Sequence, residues 1–466
     1  MTGISRGKSL TRRIRAAAIA VPALLASGLA AQAEEKGLWE RDKLTGTWGG
    51  TRTALEDKGI DIGLAYIGEA LAIPTGGLMR GTTFEGRLDL TVNTDLEKLM
   101  GWAGGKAHMR VFQIHSARNF NALSYVGSIA DPSNIDAYGT TRLFTAWVQQ
   151  EFGTVASLRV GQLAGDDEFL VSSTAGGLIN GTYGWAAMMA ANLPSGGPAY
   201  PLATPGIRLQ VNPTDTISLL GAVFSGDPAG PNCTNPNPQI CNRYGTTFSF
   251  SGGAFWLGEA QYQVNQAKDA TGLAAAYKLG LWYHSGERFA DQALGIDSAT
   301  GLIVPRPVSD SPLNRHGNWG IYGVIDQMVW RRGDASTSFF VRAGALPADR
   351  NLVSWYIDGG VGFKGFMPSR PADTLTFGLA HSHISPDAVA ADQYTAANID
   401  PMWPIRSGET VFEASYIAQI APWWTLQPDF QYIVRPAGNV PINPANTALG
   451  PIKDAIVVGV RTTITF

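Results

Sequence analysis

The sequence is short of charge, of cysteine and of long apolar runs, and each shortage excludes a class of protein. Charged residues are 16% of the chain, well under the roughly 25% of an ordinary soluble domain. The 2 cysteines are too few for a disulfide-dense scaffold. Beyond the N-terminus no apolar stretch reaches the roughly 18 residues of a spanning helix, and mean hydropathy is -0.01, so the chain is not a bundle of membrane helices. A formal net charge of -3 lacks the basic surplus of a nucleic-acid binder. Catalytic patterns are also missing. Gly101-Trp-Ala-Gly-Gly-Lys106 lacks P-loop spacing and its Ser/Thr, and no His-Glu-x-x-His occurs. No nucleophile stands out beside a base. His381 and His383 share one face of a strand without a third metal ligand. Neither an enzyme, a metal site nor a cofactor is expected.

What the chain does contain is glycine (55), aromatic residues (Trp 13, Tyr 14, Phe 19) and alternation. Residues 1–33 read as a cleavable signal peptide. Arg6, Lys8, Arg12, Arg13 and Arg15 form the basic region, Ala16–Ala30 the short apolar run, and Ala31-Gln32-Ala33 the cleavage site. An exported chain can oxidise its thiols, and Cys233 and Cys241 share a loop rich in Pro, Gly and Asn, so a Cys233–Cys241 disulfide is expected. Residues 34–59 read as a periplasmic segment in which Thr51–Lys58 forms a short helix stopped at Gly59.

From Ile60 onward the period is two. Phe84, Gly86, Leu88, Leu90 and Val92 point one way and Glu85, Arg87, Asp89, Thr91 and Asn93 the other. The pattern recurs along 273–284, 412–419, 424–435 and 456–466. Apolar faces five or six positions long, aromatic residues near strand ends and a terminal Phe466 on an amphipathic strand favour an outer-membrane barrel over a soluble sandwich. Candidate strands begin near residues 60, 83, 105, 141, 156, 206, 216, 246, 272, 318, 337, 352, 373, 408, 424 and 455. The expectation is therefore an all-β, sixteen-stranded antiparallel transmembrane barrel over 60–466, with a short N-terminal helical segment. Short inner turns would include 153–154, 212–215 and 421–423; long outer connections would be 115–140, 164–205, 226–245, 285–317, 385–407 and 436–454. Pro428 sits awkwardly within its strand, because proline donates no ladder bond.

Several blocks resemble the carbohydrate-selective porin family of the OprB type. They are Leu44–Arg52 through Asp57–Ile60 with its Trp-Gly-Gly, Leu163–Phe169, Ile179–Trp185, the proline-rich Gly197–Gly206, Phe224–Gly230, Glu413–Tyr416 and Leu426–Tyr432. The resemblance implies an outer-membrane channel of a Gram-negative bacterium, passing monosaccharides such as glucose, related small solutes and ions into the periplasm. Its partners would be small sugars, outer-membrane lipid and the assembly machinery that reads Phe466; it would be a monomer or a homotrimer. The competing expectation is a general or plugged barrel whose external loops bind a partner.

The expected lumen residues are Glu85, Arg87, Asp89, Lys106, His108, Arg110, Arg159, Arg208, Trp282 and Arg342. A constriction is expected where the 164–205 connection, far longer than a hairpin needs, folds against the strand bearing Glu85, Arg87 and Asp89. Tyr183 and Trp185 would offer stacking faces. Asp166, Asp167 and Glu168 would offer acceptors, with a Ca²⁺ ligand run or a solvated loop as other readings of that acidic stretch. Arg87 and Arg110 would face these acids across the passage and set up a transverse field.

Overall fold

Strands with lipid on one side and water on the other need one greasy and one polar face, and must close on themselves to leave no unpaired edge. The computed structural model is built this way. It describes residues 36–117, 121–230, 233–267 and 269–466, and the expected signal peptide, 1–33, lies outside them. Along the chain run β1 (Ile60–Gly77), β2 (Gly81–Asp95), β3 (Gly105–Ser116), β4 (Thr140–Phe152), β5 (Ala156–Leu163), β6 (Thr204–Val211), β7 (Ile217–Ser225), β8 (Ala254–Val264) and β9 (Ala275–His284). Three short strands follow, β10 (Phe289–Ile296), β11 (Ile303–Pro305) and β12 (Ser311–Arg315), which form a small sheet of their own. Then come β13 (Asn318–Arg332), β14 (Ala335–Ala345), β15 (Val353–Lys364), β16 (Thr374–Ile384), β17 (Gly408–Ala421), β18 (Trp424–Val434) and β19 (Lys453–Thr465). The other sixteen strands form one closed antiparallel barrel in which β1 pairs with β19.

Exposure follows the alternation. On β9, Leu279 and Leu281 are 69% and 63% exposed on the outer wall, whereas Trp282 is 2% exposed on the inner side. No described helix is long and apolar enough to cross a membrane; the strands do so. At the seam, Glu69 and Arg461 lie directly opposite each other and form an ion pair. The rim below is fastened by the segment before β1. A short helix, Thr51–Asp57, presents Arg52, whose Nη2 donates to Phe466 O at 2.8 Å, while Leu44 N donates to Thr465 O at 2.8 Å.

Turns are short at that end. At the other end lie the long loops: L2 (117–139), L3 (164–203), L4 (226–253), L5 (285–317), L7 (385–407) and L8 (435–452), with the shorter L1 (78–80) and L6 (346–352). This asymmetry places the long loops outside the cell. The strand expected from Thr246 is not formed: β8 begins at Ala254, and L4 runs on to 253. Positive φ at Phe248, Gly252 and Gly253 takes this stretch out of ladder geometry. Pro428 is accommodated by a gap. The β17–β18 pairing is interrupted between Ser415–Asp429 and Ala418–Leu426 and resumes in the same register, while Pro428 keeps its place opposite Val460 of β19. Cys233 and Cys241 are bonded to each other within L4.

Candidate functional site

A sixteen-stranded barrel is wide enough to leave an aqueous channel, so what narrows it decides what passes. Two outer loops fold into the lumen. L3 does so as expected; L2, read from sequence as an ordinary outer connection, does so too. Both are held by carboxylates standing on the inner wall, each accepting backbone N–H groups that no strand could satisfy. Glu85 of β2 takes Ala122 N at 2.7 Å. Glu409 of β17 takes Ile129 N and Ala130 N at 2.7 and 2.8 Å. Glu413, four residues on, takes Ile179 N at 2.5 Å and Asn180 N at 3.1 Å. Glu259 of β8 takes Leu170 N at 2.9 Å, and Asp326 of β13 takes Thr174 N at 2.9 Å. A hydrogen bond contributes roughly 0.5–1.5 kcal/mol net, and the bonds of these five side chains together fix the loops. The loops also hold each other: Asn134 N donates to Ile179 O, and Gly181 N to Asp131 O, both at 2.8 Å.

Arg342 of β14 is the counterpart for carbonyls. Fully buried, it donates to Asp358 and to the L3 carbonyls of Leu170, Thr182 and Gly184 at 3.0, 2.9 and 3.2 Å. Behind this polar frame the apolar side chains of L3, including Phe169, Leu178, Met188 and Met189, pack with Tyr322, Phe340 and Tyr356 of the wall into a core inside the barrel.

The opposite wall is basic. Arg87 on β2, Arg110 on β3, Arg159 on β5 and Arg208 on β6 all point inward. Arg159 and Arg208 are direct register partners, a repulsive pairing. Glu168 of L3 resolves it: Arg208 Nη2 meets its Oε1 at 2.8 Å and Arg159 Nη1 its Oε2 at 3.1 Å. Asp89 binds Arg110 through Nε and Nη2, the shorter contact 2.6 Å, and Asp167 lies 3.8 Å from Arg110. Aromatic faces complete the row. Arg87 lies over Phe112 and Tyr200 at 4.7 and 5.0 Å, and Arg159 over Trp147 at 3.8 Å, with His108 stacked on the same indole at 4.8 Å. The expected field between separated acidic and basic walls is therefore replaced by direct pairing. The acids ride on L3, which docks onto the arginines, so no solute-wide gap divides them.

The expected site residues fall into two groups. Arg87, Asp89, Arg110, Arg159, Asp166, Asp167 and Glu168 are brought together on one wall. Of these, Arg110 and Asp167 keep 28% and 34% of their side chains exposed, so both reach the water of the lumen. Asp166 does not line the passage. Its Oδ2 accepts Tyr200 N at 2.9 Å, and burial followed by the charge of Asp167 pushes its carboxyl up to about 7. Asp167 is also raised, chiefly by burial, with Arg110 opposing. Glu85 is buried under L2. Tyr183, Trp185 and Trp282 are buried too and offer no free stacking face: Tyr183 stands edge-on to Phe340, Trp185 donates its indole N–H to Gly196 O, and Trp282 lies against Phe255. His381 and His383 flank Trp355 on the outer wall, and no cluster able to hold a metal occurs among the described residues.

Sequence reasoning missed Trp147, Phe112 and Tyr200 as partners of the arginines. A signal was available for the first two, since each is a register partner or close neighbour of an inward arginine once β3, β4 and β5 are aligned. Two cavities adjoin L3. One of about 730 Å³ opens among L3, L4, L5 and L6, with Asp227, Glu287 and Arg288 on its walls. Another of about 270 Å³ lies between Asp167 and Glu168 of L3 and Gln210, Gln261, Lys278 and Asp326 of the wall.

Comparison with known proteins bears on this arrangement. The model of the family described as carbohydrate-selective porin, OprB family, matches residues 80–466. The chain is 26% identical to Porin B of Pseudomonas aeruginosa, covering 94% of each protein, and 25% identical to the putative porin QuiX of Acinetobacter baylyi, covering 86% of this chain and 90% of that one. The high-pH structure of Pseudomonas putida OprB superposes with a TM-score of 0.78 at 21% identity, covering 92% of this chain and 100% of that one, a likeness of fold.

Proposed function

Since the chain belongs to the carbohydrate-selective porin, OprB family, we propose that it lets glucose-like monosaccharides and related small solutes diffuse passively across the outer membrane, recognising them at the arginine row. The observation that carries this reading is the pair Arg110 and Asp167, 3.8 Å apart, both partly exposed, beside the polar cavity under L3. A neutral, hydroxyl-rich solute can accept from the guanidinium and donate to the carboxylate at once, replacing the water it sheds. Glu168 beside Arg159, and Asp326 with Lys278 on the wall of that cavity, extend the same alternation of acceptors and donors. Several weak sites in succession allow a solute both to enter and to leave. Charged solutes gain at one partner and lose at the other.

The same reading includes removal of 1–33 on export, recognition of Phe466 by the assembly machinery, and function as a monomer or homotrimer. Native mass spectrometry of the purified barrel reads the last.

Swelling of proteoliposomes in glucose, a disaccharide and an amino acid tests the proposal. Glucose should pass faster than the amino acid of similar size, and replacing Arg87 and Arg110 with Ala should change glucose flux relative to it. If both fluxes move by the same factor, selectivity is steric and the arginines do not recognise sugar. If nothing passes, the barrel is plugged and the alternative, loops that bind a partner, takes its place.

A further inference from the structure

L4 does not rise into the medium over its whole length. Its second half turns over the outside of the barrel. Leu143 N, at the outer end of β4, donates to Tyr244 O at 3.0 Å. Gln162 alternates to the outer side of β5 yet is 3% exposed, because its amide donates to Phe144 O at 2.7 Å and to Gly245 O at 2.9 Å. From there Phe248 and Phe250 project over the wall, 47% and 85% exposed. Phe248 is held at φ 45°, a strained conformation for a bulky residue. Beneath them runs a groove of about 600 Å³, floored by the outward residues Ala146, Val160, Ile207 and Val223. A barrel's lipid-facing wall is ordinarily convex; here one stretch is recessed and roofed.

One basic residue stands near this groove: Arg243 lies two residues before Gly245, whose carbonyl is held by Gln162 of the groove wall. Arg243, exposed, lies over the rings of Tyr138 and Tyr244 at 5.3 and 5.5 Å and makes no ion pair among the described residues. An unpaired guanidinium with aromatic neighbours, set above an apolar recess at the outer end of the strands, complements an anionic headgroup above its acyl chains. We propose that this groove holds one anionic lipid of the outer leaflet, an acyl chain lying under Phe248 and Phe250 and a headgroup phosphate on Arg243. A second barrel is the poorer occupant, because its broad convex wall cannot enter a recess that the two phenylalanines overhang. The proposal is independent of what passes through the lumen.

The test uses the full barrel purified in mild detergent and native mass spectrometry with two probes, lipid A and phosphatidylcholine. One lipid A should remain bound under activation that strips phosphatidylcholine. Phe250→Ser and Arg243→Glu should each lower the retained fraction at least tenfold, while Val458→Ser, on the outer face of β19, should leave it unchanged. Equal retention of both probes, or retention indifferent to both variants, overturns the proposal. Should Arg243→Glu fail to assemble, a photo-crosslinking residue at Ile207 gives a second readout: a crosslink to lipid A supports the site, and a crosslink to a second barrel overturns it.

Discussion

Arg208 grips Glu168 through two nitrogens, Nε to Oε2 at 2.9 Å and Nη2 to Oε1 at 2.8 Å, and so fastens L3 to the wall it faces. Glu168→Gln keeps the shape and removes the charge, leaving Arg159 and Arg208 side by side without a counterion. The variant should shift the zero-current potential in a KCl gradient toward the chloride potential. Losing the charge pair should also weaken docking of L3 by roughly 2 kcal/mol. An unchanged potential would mean that these arginines are screened from the conducting path.

Arg342 anchors the other side of L3. Arg342→Met removes its bonds to three loop carbonyls and leaves Asp358 as a buried charge without its partner, a loss of about 3–5 kcal/mol. Single-channel recordings should show a larger, noisier conductance, and swelling assays should no longer separate glucose from a disaccharide. If L3 stays in place, the wall carboxylates alone suffice, and combining the change with Glu413→Gln should then release it.

Acidity should tighten the loops. Asp166 of L3 is pushed up to about 7 and Asp136 of L2 to about 6, both mainly by burial, and Asp131 moves in the same direction. A carboxyl raised by docking favours the docked loop while protonated. That contribution is complete below the ordinary carboxylate range, about 3.9, and is lost as the pH rises through about 7 for Asp166. Hydrogen exchange around Tyr200, corrected for its intrinsic rate, should therefore show more protection at about pH 5 than at about pH 8. In Asp166→Asn, which mimics the neutral form, that difference should shrink.

The Cys233–Cys241 bond spans a separation of 8 residues within L4. It should restrain the loop and contribute little to a barrel whose ladders are shielded by lipid. Reduction should leave the heat-modified gel shift of the barrel at the same temperature while speeding proteolysis within 233–241. A drop in the barrel transition would show that L4 supports the wall.

Much of the barrel was legible because a membrane sharpens alternation. Phe84 to Asn93 separates cleanly into lipid and lumen faces, and its strand lies where the pattern places it. The same signal misled at 246–251, where Thr, Thr, Phe, Ser, Phe, Ser alternates just as well. There the two phenylalanines overlie the outer wall while Ser249 and Ser251 bond each other at 2.7 Å, so the period reflects a draped loop rather than a ladder. The inward turn of L2 was hidden for a different reason. Its N–H acceptor Glu409 stands 279 and 280 residues away, and nothing local to 117–139 announces it. Burial of Tyr183 and Trp185 was equally invisible, because a ring that faces a lumen and one that fills it look alike until the loop's path is known.

The seam between β1 and β19 joins the first and the last barrel strands to be synthesised, and Arg52 reaches Phe466 across a separation of 414 residues. Every other pair of neighbouring strands can zip as soon as its second member emerges. β1 cannot, and its outer edge stays unsatisfied until β19 arrives. Throughout export the chain must therefore carry one open edge past water and past other chains, and such an edge is a template for wrong pairing. The ion pair of Glu69 with Arg461 then serves as a register mark, since a slip of one residue would turn one of the two charges toward lipid and leave the other without its partner.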